Sequence, residues 1–334
     1  MLEGDRMKAV VLEKTCKANE LKVSEVPIPE VKPDWLLVKV LGFGINRSEI
    51  VLRDHEADED YINLPVIPGI ECVGEIIDPS NTHFEKGDIV VGLMGGMGRS
   101  FDGSYAEYAL LPQKNVFKIP ECVFGYLLIE EIISIPETYF TAFGSIKSLK
   151  LKKDDTILIR GATSAAGLSA MQLADAIGAT IIATTRNENK VGNLLLNRAD
   201  YVIIDDGNIE DNVREICPEG VDKVLEFVGP KTLEDSMKCL KKGGICCNTG
   251  ILGGEEYIVE FDPIKSIPND RYLTSFFSNY PTQELIDELY IFVAENDINP
   301  KIGRVFTDLE DIGEAHELME SNKAYGKIIF RLEK

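Results

Sequence analysis

Residues 156–160, Thr-Ile-Leu-Ile-Arg, form a short apolar run that opens directly onto the small-residue turn Gly161-Ala-Thr-Ser-Ala-Ala-Gly167. A helical pattern follows, with Leu168, Met171, Ala174 and Ile177 on one face. A strand that turns tightly into an amphipathic helix is the opening of a βαβ unit. The pattern then repeats, with strand-like runs at 180–185, 201–204, 223–227 and 245–249 and helical stretches between them, such as 165–177 and 232–240. Strand, helix, strand at this spacing specifies a doubly wound parallel sheet with right-handed crossovers. That requirement constrains the fold of the chain more than any other feature.

The rest of the chain reads differently. Short β-branched runs at 8–12, 36–42, 73–77 and 88–92 are separated by turn chemistry such as Pro33-Asp34, Asp78-Pro79-Ser80-Asn81 and Lys86-Gly87-Asp88. This predicts an antiparallel β-rich unit over the first 120 residues. Helical patterns at 283–296 and 309–321 and a last strand at 326–332 close the sequence. The expected division is a β-rich domain of residues 1–124 and 267–334, completed by the returning segment, and a parallel-sheet domain of residues 125–266.

Lys and Arg total 35 of the 334 residues against 56 Asp and Glu, a formal net charge of −21. So acidic a surface repels phosphate backbones and anionic lipid, which argues against nucleic acid and membranes as partners. No apolar stretch approaches the roughly 20 residues of a membrane span. The richest, 122–140, is broken by Glu130, Glu131, Pro136 and Glu137. Residues 1–6 lack the pattern of a secretory signal. Seven cysteines without framework spacing read as reduced thiols, and the expected location is cytoplasmic.

The turn at 161–167 has the context of a dinucleotide fingerprint, in which the helix N-terminus offers unpaired N–H groups to a pyrophosphate. Gly161, Thr163, Ser164, Ala165, Ala166 and Gly167 are the candidate contacts. Ser164 and Ala165 stand where further glycines would ease close approach, and a tight strand–helix packing corner is the competing account. The second strand ends Thr184-Thr185-Arg186, with Lys190 beyond it and no acid at the tip to receive a ribose 2′-hydroxyl. Arg186 offers a planar fork to a 2′-phosphate and Lys190 a second cation, which favours NADPH. The alternative is two ordinary solvated cations at a helix start.

These features resemble the medium-chain dehydrogenase/reductase superfamily, in its zinc-free quinone oxidoreductase branch. The resemblance runs from Met7-Lys8-Ala9-Val10-Val11 to Gly326-Lys327-Ile328-Ile329. It is carried by Gly44-Ile45-Asn46-Arg47-Ser48-Glu49, Pro68-Gly69-Ile70-Glu71-Cys72-Val73-Gly74, Gly103-Ser104-Tyr105-Ala106-Glu107-Tyr108 and Thr141-Ala142-Phe143, together with the glycine turn. It implies a GroES-like β-rich catalytic domain beside a Rossmann-type domain. The family starts near Met7, so residues 1–6 read as an extension or a misassigned start.

The resemblance also implies the site. Zinc-dependent relatives hold a catalytic metal with Cys, His and Cys, whereas the matching places here carry Asn46 and Ile70, no cysteine lies near 136–141, and only Glu71 remains. No metal is therefore expected. Asn46 and Thr141 are implied to sit against the nicotinamide, with Phe227, Gly229, Thr249, Gly250, Ile251, Ser275 and Phe276 as cofactor walls. The family's tyrosine after the Asn-x-x-Glu motif is Val51 here. Tyr61 is a remaining candidate proton donor, or else a loop aromatic on the domain rim, and Arg47, Ser48 and Arg53 could also reach the acceptor. Residues 257–261 alternate like an edge strand, which in this family pairs across a dimer axis and implies a homodimer.

The function expected is hydride transfer from NADPH to a small-molecule acceptor, a quinone or an α,β-unsaturated carbonyl. The alternative is an NADPH-binding sensor or structural protein on the same fold, with little catalysis.

Overall fold

The computed structural model describes residues 5–332. Residues 1–4, most of the segment read above as an extension, lie outside the described residues. The chain divides into two compact units, one of residues 1–137 and 279–334, the other of residues 138–278.

Unit 1 begins with the antiparallel pair β1 (Arg6–Val10) and β2 (Val23–Pro27). It continues through β3 (Trp35–Gly44), α1 (Arg47–Asp54), β4 (Glu71–Asp78), β5 (Ile89–Leu93), β6 (Tyr108–Pro112), β7 (Val116–Lys118) and α2 (Ile129–Ser134). Helix α3 (Pro136–Leu149) carries the chain into unit 2. There follow β8 (Thr156–Arg160), α4 (Ala165–Ile177), β9 (Thr180–Thr185), α5 (Val191–Leu196), β10 (Tyr201–Ile204) and α6 (Glu210–Ile216). Next are β11 (Val221–Glu226), α7 (Leu233–Lys238), β12 (Leu240–Asn248), α8 (Pro263–Ser266) and β13 (Tyr272–Ser275). The chain re-enters unit 1 as α9 (Gln283–Glu295), β14 (Ile302–Phe306), α10 (Ile312–Glu320) and β15 (Lys327–Arg331).

The main sheet of unit 1 runs β14-β15-β3-β4-β5-β7, with β6 also on β3. The returning strand β15 pairs antiparallel with β3, setting Phe330 opposite Phe43. This register builds an aromatic pile through the core. Phe306, Phe330, Phe43 and Tyr105 stack in turn with centroids 5.2, 4.9 and 4.8 Å apart. All four are buried, so the pile fastens the last strands of the chain to its first hundred residues.

In unit 2 six parallel strands run β10-β9-β8-β11-β12-β13. The direction of winding reverses between β8 and β11. Carboxyl ends of strands at such a reversal are where open α/β sheets bind ligands, and the glycine turn stands at the end of β8. Strands β8, β9 and β10 and helix α4 lie where the apolar runs predict.

The units meet later in the chain than the composition suggests. Residues 125–137 belong to unit 1, because α2 packs on β3 and β15 and Tyr290 Oη donates to the Ile132 carbonyl at 3.2 Å. Residues 267–278 belong to unit 2, because β13 adds to β12 with Tyr272 opposite Ile245. One expectation is corrected. Residues 257–261 form no strand: Glu260 takes a left-handed backbone at φ +57°, which breaks an extended run, and β13 fills the sheet edge instead.

Phe330 is the middle of the aromatic pile. Phe330→Ala is expected to cost about 3–5 kcal/mol, read as a lower urea midpoint for the unit 1 transition. A loss below 1 kcal/mol would mean that the pile does not hold β15 in place.

Candidate functional site

Among the described residues, unit 2 holds one candidate site and unit 1 another. In unit 2 the apolar strand β8 ends at Arg160, and Gly161 turns the chain at φ +83°. Ser164 caps α4: its hydroxyl accepts from the Gly167 N–H at 3.0 Å and donates to the Gly161 carbonyl at 2.9 Å. A Cβ at Gly167 would lie 2.6 Å from the Ala162 Cα, so the glycine is needed for the helix to press onto the turn. The N–H groups of Ala165 and Ala166 have no acceptor among the described residues. They are half-buried at a helix N-terminus, an arrangement suited to an anionic oxygen.

Thr185 closes β9, its hydroxyl accepting from the Asn187 N–H at 3.1 Å. Arg186 is exposed beyond it and Lys190 is half-buried. The last residues of β9, Thr184 and Thr185, carry no carboxylate of their own, but Asp205, gripped by Arg160, bonds the Thr184 side chain, and its N–H donates to the Thr185 carbonyl at 2.9 Å. Gly229, at φ +92°, passes so close to the β12 loop that a Cβ there would sit 2.3 Å from the Gly250 carbonyl. Phe227, Gly229 and Gly250 therefore share one corner.

The middle of α3 and the residue after β12 also meet within unit 2. Ser145 Oγ donates to the Thr141 carbonyl at 2.6 Å, which leaves the Thr249 hydroxyl to donate to Ser145 at 2.7 Å. Phe276, just after β13, lies 5.6 Å from the Phe140 ring and covers Gly144, where a Cβ would be 2.1 Å from the ring. Thr141, Thr249 and Phe276 are thus gathered at one place, with Ser275 in register opposite Asn248. Ser145 is the hydroxyl that joins them, and its spacing from Thr141 on one helix was the signal available for it. Ile251 is about half exposed.

Behind the turn lies a buried ionic group that the sequence reading passed over. Arg160 is fully buried and grips Asp205 with two bonds, at 2.8 and 2.9 Å. Its Nη1 donates to Asp235 at 2.8 Å and Ser236 at 3.1 Å. Burial alone would raise the Asp205 carboxyl, but its bonds and charge pairing with Arg160 outweigh this and hold it below the usual value. Glu226 ends β11 and accepts from the N–H groups of Val228 and Gly229 at 2.6 and 3.0 Å, yet burial still raises its carboxyl. The network ties the ends of β8 and β11 to the chain that follows β10. A charged residue closing an otherwise apolar strand was its signal.

Unit 1 holds the second site. Asn46 precedes α1, and its side chain is almost fully buried. Its Nδ2 donates to Glu71 at 2.9 Å and to Glu49 at 3.4 Å, while its Oδ1 accepts from the Lys327 ammonium. Lys327 Nζ lies 2.7 Å from Glu71, and both side chains are buried, at 3% and 0% exposure. Glu71 also accepts from the Glu137 N–H at 2.7 Å. Glu49 accepts from the N–H groups of Asn46 and Ile70 at 2.8 and 3.1 Å. A Cβ at Gly44 would fall 2.2 Å from Lys327 Cε and 2.3 Å from Glu71 Oε1, so any side chain there would displace the ends of this pair. Both ends of the Asn46 amide are therefore engaged inside unit 1. Tyr61 is 61% exposed and its hydroxyl donates to Glu56 at 3.0 Å.

Residues 32–121 match the alcohol dehydrogenase GroES-like domain, and residues 198–330 match the zinc-binding dehydrogenase family. The chain is 28% identical over 319 residues to the quinone oxidoreductase of Homo sapiens, covering 92% of each. It is 28% identical over 344 residues to that of Lama guanicoe, covering 99% of this chain and all of the relative. Among solved structures, the quinone oxidoreductase from Coxiella burnetii is similar with a TM-score of 0.81 at 25% identity, over 98% of this chain and 100% of that one. The chain belongs to the medium-chain dehydrogenase/reductase superfamily, in its quinone oxidoreductase branch. Its fold is that of proteins that bind a nicotinamide cofactor, and the free N–H groups of Ala165 and Ala166 fit the pyrophosphate of one.

Burial, followed by the charge of Glu71, pushes Glu49 from 4.5 to about 7, against the pull of Lys327 and two backbone N–H groups. Between these values the folded chain keeps a proton that the unfolded chain has released. The contribution of Glu49 to stability therefore falls as pH rises from about 4.5 to about 7, and stays low above that. Glu49→Gln removes this dependence. Relative to wild type, the variant is expected to gain on the order of 2–3 kcal/mol between pH 5 and pH 8, measured by urea titration at each pH. An unchanging difference would show that Glu49 does not titrate in this range.

Proposed function

We propose that the chain is a zinc-independent, NADPH-dependent oxidoreductase that reduces a quinone or an α,β-unsaturated carbonyl. An oxidoreductase is what the quinone oxidoreductases among its relatives support. The observation that carries the choice of cofactor is the end of β9, where Arg186 stands exposed, Lys190 follows four residues on, and the neighbouring carboxylate, Asp205, is already gripped by Arg160. A 2′-phosphate gains a planar, charge-assisted partner there.

A metal-free reaction is supported by what fills the cluster at Asn46. Amide and carboxylate oxygens that could face a divalent cation already accept from an ammonium, Lys327. Asn46 and Ile70 also stand at the places matching metal ligands in zinc-dependent relatives, so the residues do not fit a catalytic zinc.

The bound cofactor supplies the hydride. The chain's own part is to hold and orient. Ala165 and Ala166 present N–H groups to the pyrophosphate, and Gly161 and Gly167 keep the backbone close enough for them to reach it. Thr141 and Thr249, locked together through Ser145, present a rigid polar wall to the nicotinamide, while Phe276 excludes water from it. The reading extends to the cytoplasm, in keeping with the free cysteines, and to a homodimer, which rests on the family resemblance alone now that residues 257–261 form no edge strand.

The test is NADPH oxidation followed by absorbance with chelator present, against a quinone, an enone and a simple aldehyde. Turnover of the quinone or enone is expected to be unaffected by chelator. Arg186→Ala is expected to raise the KM for NADPH about tenfold or more, as for loss of one charge-assisted bond of about 1.5–3 kcal/mol, and to leave the KM for NADH nearly unchanged. Equal effects on both cofactors would remove the 2′-phosphate role. Tight NADPH binding without turnover of any acceptor would instead make the chain a binding protein.

A further inference from the structure

The hydroxyl groups gathered in unit 2 have a direction as well as a position. Ser145 is fully buried, and its one proton is committed, because Oγ lies 2.6 Å from the Thr141 carbonyl, which can only accept. The oxygens of Ser145 and Thr249 are 2.7 Å apart, a separation that needs a proton between them. With the Ser145 proton already placed, that proton is the one on Thr249. Cys247 comes two residues earlier, and its Sγ lies 3.4 Å from the same Thr249 oxygen. Burial raises the Cys247 thiol, against hydrogen bonds from Thr249, Ser145 and the Phe276 backbone, so the thiol keeps its proton at neutral pH. An oxygen that already donates can only accept from it.

The chain therefore runs one way, from Cys247 through Thr249 and Ser145 to the carbonyl of Thr141. That carbonyl fixes the order. Reversing either oxygen–oxygen bond would leave two oxygens at 2.6 or 2.7 Å with no proton between them. Thr249, half-buried after the end of β12, is left with a lone pair and no proton to offer. Were the thiol to bond Ser145 instead, Thr249 would hold a second open lone pair and still no proton. A threonine hydroxyl in water gives or takes; this one only takes.

That polarity selects what lies against it. Water can serve an open acceptor, but a ligand that displaces the water must bring a donor or leave the oxygen unpaired. A nicotinamide has one side suited to this oxygen, the N–H side of its carboxamide. We infer, resting on the function proposed above, that Thr249 accepts from the carboxamide N–H of the cofactor, and that Ser145 is the positioning residue that makes Thr249 an acceptor. Ser145 and Cys247 act through Thr249. With its proton committed, Thr249 orients the cofactor and does not protonate the reduced acceptor.

The test is equilibrium binding of two reduced cofactors to the full chain, followed by calorimetry. NADPH carries the amide. Its 3-acetylpyridine analogue has a methyl group in place of the amide nitrogen, which keeps the carbonyl oxygen and removes the donor. The wild type is expected to bind NADPH about tenfold more tightly than the analogue, as for one hydrogen bond lost with its acceptor left unpaired. Thr249→Val keeps the side-chain shape and removes the oxygen. It is expected to weaken NADPH binding about tenfold and to leave the analogue nearly unchanged, so that the preference disappears. Ser145→Ala keeps Thr249 and releases its proton, so the analogue is expected to bind about as tightly as NADPH. A merely structural defect would weaken both cofactors and leave their ratio standing. No preference in the wild type, or the same preference in Thr249→Val, overturns the contact. A full preference kept by Ser145→Ala overturns the role of Ser145. A wild type that binds neither cofactor overturns the proposed function itself.

Discussion

A lysine ammonium and a glutamate carboxylate sealed from water would ordinarily be a liability, since each ion gives up several kcal/mol of hydration. The Lys327–Glu71 pair survives because the cluster leaves few of its polar positions idle. Glu71 receives the ammonium, the Asn46 amide and the Glu137 N–H, while Lys327 also serves the other end of Asn46. The partners come from β15, β4, the start of α1 and the start of α3. The ammonium arrives on almost the last strand of the chain, 281 residues after Asn46. Without the returning segment, Glu71 would lack the ammonium that compensates its charge in the folded chain. The aromatic pile of Phe306, Phe330, Phe43 and Tyr105 supplies the apolar side of the same closure.

Unit 2 solves a related problem with a different cation. At the strand ends around Arg160, three carboxylates face inward, and a planar fork can grip two of them at fixed angles where an ammonium could not. The fork stands at the residue before the glycine turn, so what it fixes is the position of Gly161 relative to the ends of β11 and β10. Rigidity is supplied from behind, by ions, and the face of the turn is left to backbone N–H groups.

What was legible in the sequence follows from how local each signal is. The parallel strands β8, β9 and β10 read out because each is an apolar run bounded by turn residues, and α4 because Leu168, Met171, Ala174 and Ile177 recur on one helical face. Strand β7, of three residues, was too short to stand out. Residues 257–261 alternate convincingly, but a left-handed Glu260 interrupts them. The glycine turn, Thr185 and Arg186 were picked out because they sit at strand ends, positions that periodicity locates, and Phe276 through the family resemblance alone. The Lys327 cluster was not, because its members lie in four segments and no stretch of chain contains more than two of them at contact spacing. Family resemblance pointed to Asn46, but only the fold shows that its amide is already committed to three neighbours.

Gly44 carries no side chain because Lys327 carries a long one: their atoms would claim the same space. The two positions are thus a single heritable character. An alanine at 44 would push the ammonium of Lys327 or the carboxylate of Glu71 out of its place, so a change at either position is felt first at the other.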